Sequence, residues 1–341
     1  YDYTAYFPRI AADRLDLMMR MESDRMVNLK LSQDDIETER DVIIEERNQR
    51  VENDPGSLFR EQMSAAQYLN HPYGVPIIGW QREMQTLGLD QALDYYRTNY
   101  APNNAILVVA GDVDPDQVHA LAKTHYGPIP ANRDLPERTR PQEPRQMAER
   151  RLVFEDARVA QPYVLRSYLA PARDSGAQQT AAALSVLSDL LGDGTNSVLT
   201  QKLEFESKVS LYSSAWYGGT SLDDTTFNLV IVPAPGVTMA EAEAALDTAL
   251  TEFMNEGVDP EHMERIKMQA RASLIYARDN VGKLAQRYGS ALTQGLSVAD
   301  VQNWPDDLQA VTQEDVMAAA RQVLVREHSV TGWLKAPEVT Q

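Results

Sequence analysis

Residues 12–29 alternate at helical spacing, with Leu15, Met18, Met19, Met26 and Leu29 on one side and Arg14, Arg20 and Asp24 on another. Ser32 is placed to cap a second helix, and Asp34 and Asp35 fall in its first turn, where the helix dipole favours acids. That helix runs through Ile36, Val42 and Ile43 toward Val51, until Asn53-Asp54-Pro55-Gly56 stops it. Further helices are predicted over 57–69, 89–99 and 117–125, with a loop of Pro72, Gly74, Pro76 and Gly79 between the first two. Two runs have strand character instead. These are the aromatic-rich residues 3–10 and the unbroken apolar run 105–110, which Gly111-Asp112 closes.

Over 131–150 the pattern disappears. Pro136, Pro141 and Pro144 stand among Arg133, Glu137, Arg138, Arg140, Arg145 and Glu149, the composition of an extended, solvated linker. The two sides of it repeat each other. At an offset of 227, Asn28-x-x-Leu31-Ser32 falls on Asn255-x-x-Val258-Asp259, Ile36 on Met263 and Arg40 on Lys267. At an offset of 224, residues 104–109 fall on 328–333, each a strand preceded by a helix. The series in order implies two tandem copies of one α+β domain, each a mainly antiparallel sheet packed with helices. Residues 1–130 are then the C-terminal portion of the first copy, 131–150 the linker and 151–341 the second copy. With the second copy starting near Arg151, the first is expected to begin about 75 residues before Tyr1. Tyr1 opens a strand already under way, without initiator Met or leader. Upstream sequence, and any targeting segment in it, is expected to lie outside this chain.

Composition removes several classes. The 341 residues carry 32 Lys and Arg against 50 Asp and Glu, a net charge of −18 that repels nucleic acid and anionic membrane alike. Without cysteine there is no disulfide framework, thiolate zinc site, iron–sulfur cluster or cysteine nucleophile. The longest apolar runs, such as 105–110, are far too short to span a bilayer.

Candidate chemistry sits on the second helix. Glu39 and Glu46 are seven apart, two turns, and leave the same face. Ile36, Val42 and Ile43 flank Glu39 on that face, so two carboxylates interrupt an apolar stripe. Burying a carboxylate is costly unless a cation or hydrogen bonds hold it, and a metal ion is one such cation. A plainer alternative has Glu46 paired with Arg50 one turn on. The second copy bears on the choice: at offset 227, Glu39 becomes Ile266 and Glu46 becomes Ser273. Acids present in one copy only suggest work beyond folding.

The run Glu39-Arg40-Asp41-Val42-Ile43-Ile44-Glu45-Glu46, following Tyr3-Thr4-Ala5-Tyr6-Phe7, resembles the M16 metallopeptidases. The loop His71-Pro72-Tyr73-Gly74 with Ile78-Gly79-Trp80, and Asn103-Asn104-Ala105 leading into a strand, are similar to the bacterial short-chain branch. The likeness extends over essentially the whole chain. It implies a zinc endopeptidase that encloses peptides or unfolded polypeptides between two facing domains, often as a homodimer or heterodimer, with the bacterial periplasm as the favoured compartment. In that family His-x-x-Glu-His and a distal Glu make the site. Glu46 matches the distal zinc ligand and Glu39 the supporting acid. His71, His119, His125, His262 and His328 do not form the inverted motif, so the two His ligands and the general base are expected upstream of Tyr1. This chain by itself is expected to hold no zinc and to be inert, although the intact protein would bind Zn²⁺.

In the second copy, Ser185, Ser188 and Asp189 stand where the family's first domain has its His, Glu and His, which implies a catalytically silent domain. The resemblance also implies a substrate clamp of an Arg seven residues before a Tyr. Tyr212 is the candidate, but Phe205 occupies the Arg position, and a packed core aromatic is the alternative. Rival functions are a non-catalytic partner subunit of an M16 heterodimer and a peptide-binding protein.

Overall fold

The computed structural model describes residues 1–337, and the architecture is α+β. Six helices come first: α1 (Leu15–Asn28), α2 (Gln33–Arg47), α3 (Pro55–Gln67), α4 (Gln81–Met84), α5 (Leu89–Asn99) and α6 (Pro115–His125). Strands β1 (Arg150–Glu155) and β2 (Tyr163–Ala170) follow, then α7 (Gln179–Gly192), β3 (Ser210–Tyr217) and β4 (Thr225–Pro233). The chain ends through α8 (Met239–Glu256), α9 (Pro260–Tyr276), α10 (Val281–Thr293), α11 (Val298–Ala310), α12 (Gln313–Val323) and β5 (Ser329–Lys335).

Among the described residues there is one sheet, in the order β1-β5-β2-β4-β3, with β1 parallel to β5 and every other pair antiparallel. Its two faces are both covered, which is why β2 is buried almost throughout rather than at alternate positions. On one face Val164, Tyr168, Phe227, Leu229 and Ile231 meet α7, α8, α9 and α12. Helix α7 is apolar nearly all round and fills the centre of that core. On the other face Leu165, Val330 and Leu334 meet Phe59 and Met63 of α3. The first half of the chain thus supplies the helix that closes the sheet of the second.

Two pairs of helix caps recur at nearly constant spacing. Ser32 caps α2 and Asp259 caps α9, 227 residues later; Asp54 and Asn280 cap α3 and α10 at an offset of 226. The cations on α2 and α9 also act alike. Arg40 donates to the Leu87 carbonyl at 3.3 Å, and Lys267 to the Val311 carbonyl at 3.0 Å.

Three expectations need correction. Residues 3–10 and 105–110 form no strand: neither has a partner ladder among the described residues, and Phe7, Ile106 and Leu107 are left exposed. An apolar run of strand length is only a strand when another backbone takes its N–H and C=O groups. The linker is extended but not simply solvated. Gln146 is buried and donates to the Ser329 carbonyl, while Glu143 accepts the backbone N–H groups of Leu69, Asn70 and His71 at 2.7–2.9 Å. Its polar residues bind backbone that would otherwise lack partners.

Candidate active-site elements

Helix α2 begins in a capping box, with Ser32 and Asp35 each satisfying the other's backbone N–H at 2.8–3.2 Å. Its far end is held by Arg47, whose side chain is 4% exposed. Arg47 makes two bonds to Glu61 of α3 at 2.8 and 3.1 Å, one to Glu52 at 3.0 Å and one to the Gly79 carbonyl at 2.9 Å. The residue before this anchor is Glu46, so the buried ion pair fixes the end of the helix that carries it. Sequence reasoning missed Arg47 because a guanidinium next to an acid on a charged helix reads as surface.

Glu39 and Glu46 lie on α2 as the spacing requires. Glu39 is exposed, and Glu46, 39% exposed, pairs with Arg50 at 2.7 Å. Val42 is 54% exposed, so the apolar stripe these acids interrupt is not core in this chain. At the position 227 residues on, Ile266 is 6% exposed and packs in the main core, where α9 meets α7. Ser273 is exposed.

Among the described residues there is no group of three or more His, Cys, Asp or Glu side chains that could hold a metal ion. The described residues do not by themselves make a zinc site. The histidines are dispersed. His71 is buried and meets Asp223 at 2.9 Å, His125 meets Asp16 at 2.7 Å, His119 is exposed on α6, and His262 is buried on α9. On α7, Ser188 donates to the Ser185 carbonyl at 2.8 Å. Burial, with Asp193 nearby, pushes the Asp189 carboxyl up to about 6.

Tyr212 is 53% exposed on edge strand β3, which removes the core-aromatic alternative. Glu204 accepts both the backbone N–H and the hydroxyl of Ser213 at 2.7 Å. That contact ties the helical segment carrying Phe205 to the strand carrying Tyr212, and both rings stand exposed.

The His71-Pro72-Tyr73-Gly74 loop enters a network joining distant segments. Tyr73 donates to Asp2 at 2.7 Å; Arg140 donates to Asp2 at 2.9 Å and also to Asp223; Ser221 donates to the Tyr73 hydroxyl at 2.8 Å. The motif was visible in the sequence, but its partners lie up to 152 residues away and were not. None of the described helices is long and apolar enough to cross a membrane.

An α+β chain with one mixed sheet covered by helices on both faces is a fold shared with M16-like peptidases. The profile described as "Peptidase M16 inactive domain" matches residues 86–270, and the chain belongs to the M16 peptidase family. It is 28% identical to the zinc protease PqqE of Helicobacter pylori, over 98% of this chain and 74% of that one. A solved protease structure from Helicobacter pylori superposes with a TM-score of 0.87 at 23% identity, covering 96% of this chain and 78% of the other. The first half of the periplasmic protease PqqL from Escherichia coli gives a TM-score of 0.78 at 21% identity, over 97% and 72%.

Proposed function

We propose that the intact protein is a zinc-dependent endopeptidase that cleaves peptides or unfolded polypeptides in a chamber between two M16 domains. Residues 1–130 belong to the zinc-bearing domain and 151–341 to its silent copy. Glu46 is the carboxylate ligand, Glu39 the supporting acid, and Tyr212 a contact for the substrate. The remaining ligands and the base lie in sequence outside this chain, and a second M16 subunit completes a dimer. The periplasm is the compartment, by likeness to a relative described as periplasmic.

The observation that carries this reading is the contrast between α2 and α9. Where α9 buries Ile266 in the core, α2 presents the exposed carboxylate of Glu39. The same helix at the same place in the repeat has given up packing for charge in one copy only. Relatives named as zinc proteases agree with the metal.

The test uses the full-length protein. Glu46→Gln replaces a charged ligand with a poor neutral one and should abolish peptidase activity and lower zinc content. Glu39→Gln should keep most of the zinc and slow turnover, because a supporting acid tunes a site without closing it. Glu45→Gln, about 100° round the helix, should change neither. Full activity in Glu46→Gln would sink the assignment. Zinc-free, inactive wild-type protein would favour the non-catalytic partner subunit.

A further inference from the structure

The outer face of α9 is apolar where water would favour polar side chains. Met268 is 71% exposed, Ile275 54% and Tyr276 74%, with the half-buried Ala272 between them. Spacings of three and four residues put these positions on one side of the helix. The opposite side carries Met263 and Ile266 into the core, so the row is not a margin of that packing. Single exposed apolar residues are ordinary on a protein surface, but a row of them along two turns marks a contact.

Folding of such a helix does not call for the row. The caps of α2 and α9 stand 227 residues apart, and subtracting that offset from 268, 272, 275 and 276 gives Asp41, Glu45, Asn48 and Gln49. Helix α2 and the turn after it thus carry polar groups at those places.

The row is also arranged about its middle. Going out from Ala272, Met268 and Tyr276 each lie four residues away, and Arg265 and Asp279 each lie seven. Helix α9 continues directly into the 3-10 turn Ala277–Asp279, which extends the row to Asp279. Arg265 and Asp279 are both exposed. If a second α9 is laid antiparallel on the first with the two Ala272 side chains together, each Arg265 meets an Asp279 and each Met268 meets a Tyr276. The small side chain at the middle lets the helix axes approach to about 8 Å. A parallel pairing would instead set Arg265 against Arg265 and Asp279 against Asp279. Opposite charges at equal distances from a small central residue make the surface complementary to itself, which a twofold contact between identical chains requires. The net charge of −18 repels a second copy elsewhere, whereas this row balances one cation with one anion.

We propose that two copies of this chain associate through antiparallel α9 helices, about a twofold axis passing near Ala272. The proposal deepens the dimer of the functional reading, on which it rests for the role of the second subunit: it makes the partner a second copy and the contact α9.

Sedimentation velocity on the full-length protein, from about 1 µM to a few hundred µM, reads the assembly without reference to peptidase activity. One helix from each subunit makes a small interface, so a dissociation constant roughly in the micromolar range is expected. Met268→Glu with Ile275→Glu should weaken the dimer about tenfold or more, because like charges are then forced together. The unfolding midpoint should stay at the wild-type value, since both residues are exposed. Arg265→Asp should also weaken the dimer, and Arg265→Asp with Asp279→Arg should restore it. A wild-type monomer over the whole range overturns the proposal and the homodimer with it. A dimer that survives the double glutamate variant, or a charge exchange that fails to restore association, overturns the α9 contact and leaves the functional reading standing.

Discussion

Gly332 of β5 lies beneath Met63 of α3, so close that a Cβ at Gly332 would overlap the Met63 sulfur and the Phe59 ring. At the offsets of the helix caps, a second helix-to-backbone approach has the sizes reversed. Residue 289 on α10 matches Met63 and is glycine, and Val108 matches Gly332; the nearest heavy atom to a Cβ at Gly289 is Val108 Cγ2 at 3.8 Å. Each half of the chain lays a helix on an extended segment of the other, with a larger side chain opposite a glycine in both cases.

The two glycines should therefore respond in opposite ways to the same change. Gly332→Ala forces a methyl into packed atoms and should cost about 3 kcal/mol, at the upper end for overpacking. Met63→Ala in the same chain should recover part of that loss, since the two sites share one volume. Gly289→Ala meets only an ordinary contact and removes a glycine from a helix, so it should be neutral or stabilise by up to about 1 kcal/mol. Urea unfolding of the four variants checks this. Equal effects at the two glycines would mean that the crossed packing has been misread.

Much of the helical layout was legible because amphipathic spacing and capping residues are local signals. The second helix started at its Ser32 cap, and 89–99 was a helix end to end. The strand character of 105–110 was also local, but whether a strand forms depends on a partner backbone that no local pattern reports. The candidate site divides the same way. Glu39 and Glu46 could be placed on one helix by counting, whereas the Arg47–Glu61 anchor beside them, and the Glu204–Ser213 tether beside Tyr212, needed the fold.

Asp189 offers a pH test of α7. Its carboxyl is held near 6 by burial and by Asp193, against 3.8 when unperturbed. The folded state thus keeps this proton to higher pH than the unfolded state does. Its burial costs nothing below about pH 4 and is felt in full above pH 6, so stability falls as pH rises through that window. Asp189→Asn should be more stable than wild type at pH 7 by on the order of 2 kcal/mol, with the gain shrinking to near zero by pH 4. Thermal unfolding of both proteins at pH 4, 5, 6 and 7 gives the comparison. A gain independent of pH would assign the effect to packing rather than to charge.

Glu243 of α8 is met by three arginines. It accepts from Arg151 at 2.7 and 2.8 Å, Arg166 at 3.1 Å, Arg326 at 3.2 Å and the Trp333 indole at 2.7 Å. Arg166 is 1% exposed and depends on Glu243, Asp247 and the Thr331 hydroxyl for its partners. Burial pushes the Glu243 carboxyl up, but the bonds from Arg151 and Trp333 and the charges of Arg151 and Arg166 outweigh it and hold it at about 2. This stabilisation is present above the ordinary carboxylate range near 4.5 and is lost as pH falls toward 2. Glu243→Ala leaves a buried guanidinium undercompensated and should cost about 3–5 kcal/mol at pH 7. Arg166→Met should cost less, because Glu243 keeps Arg151 and Arg326 and a similar apolar volume replaces the lost cation. The acid-induced loss of stability between pH 5 and 2 should also flatten in Glu243→Ala. Denaturant unfolding at pH 7 ranks the two variants, and acid titration followed by circular dichroism reads the slope. A larger loss in Arg166→Met than in Glu243→Ala would show that the arginine, not the glutamate, is the hub of this network.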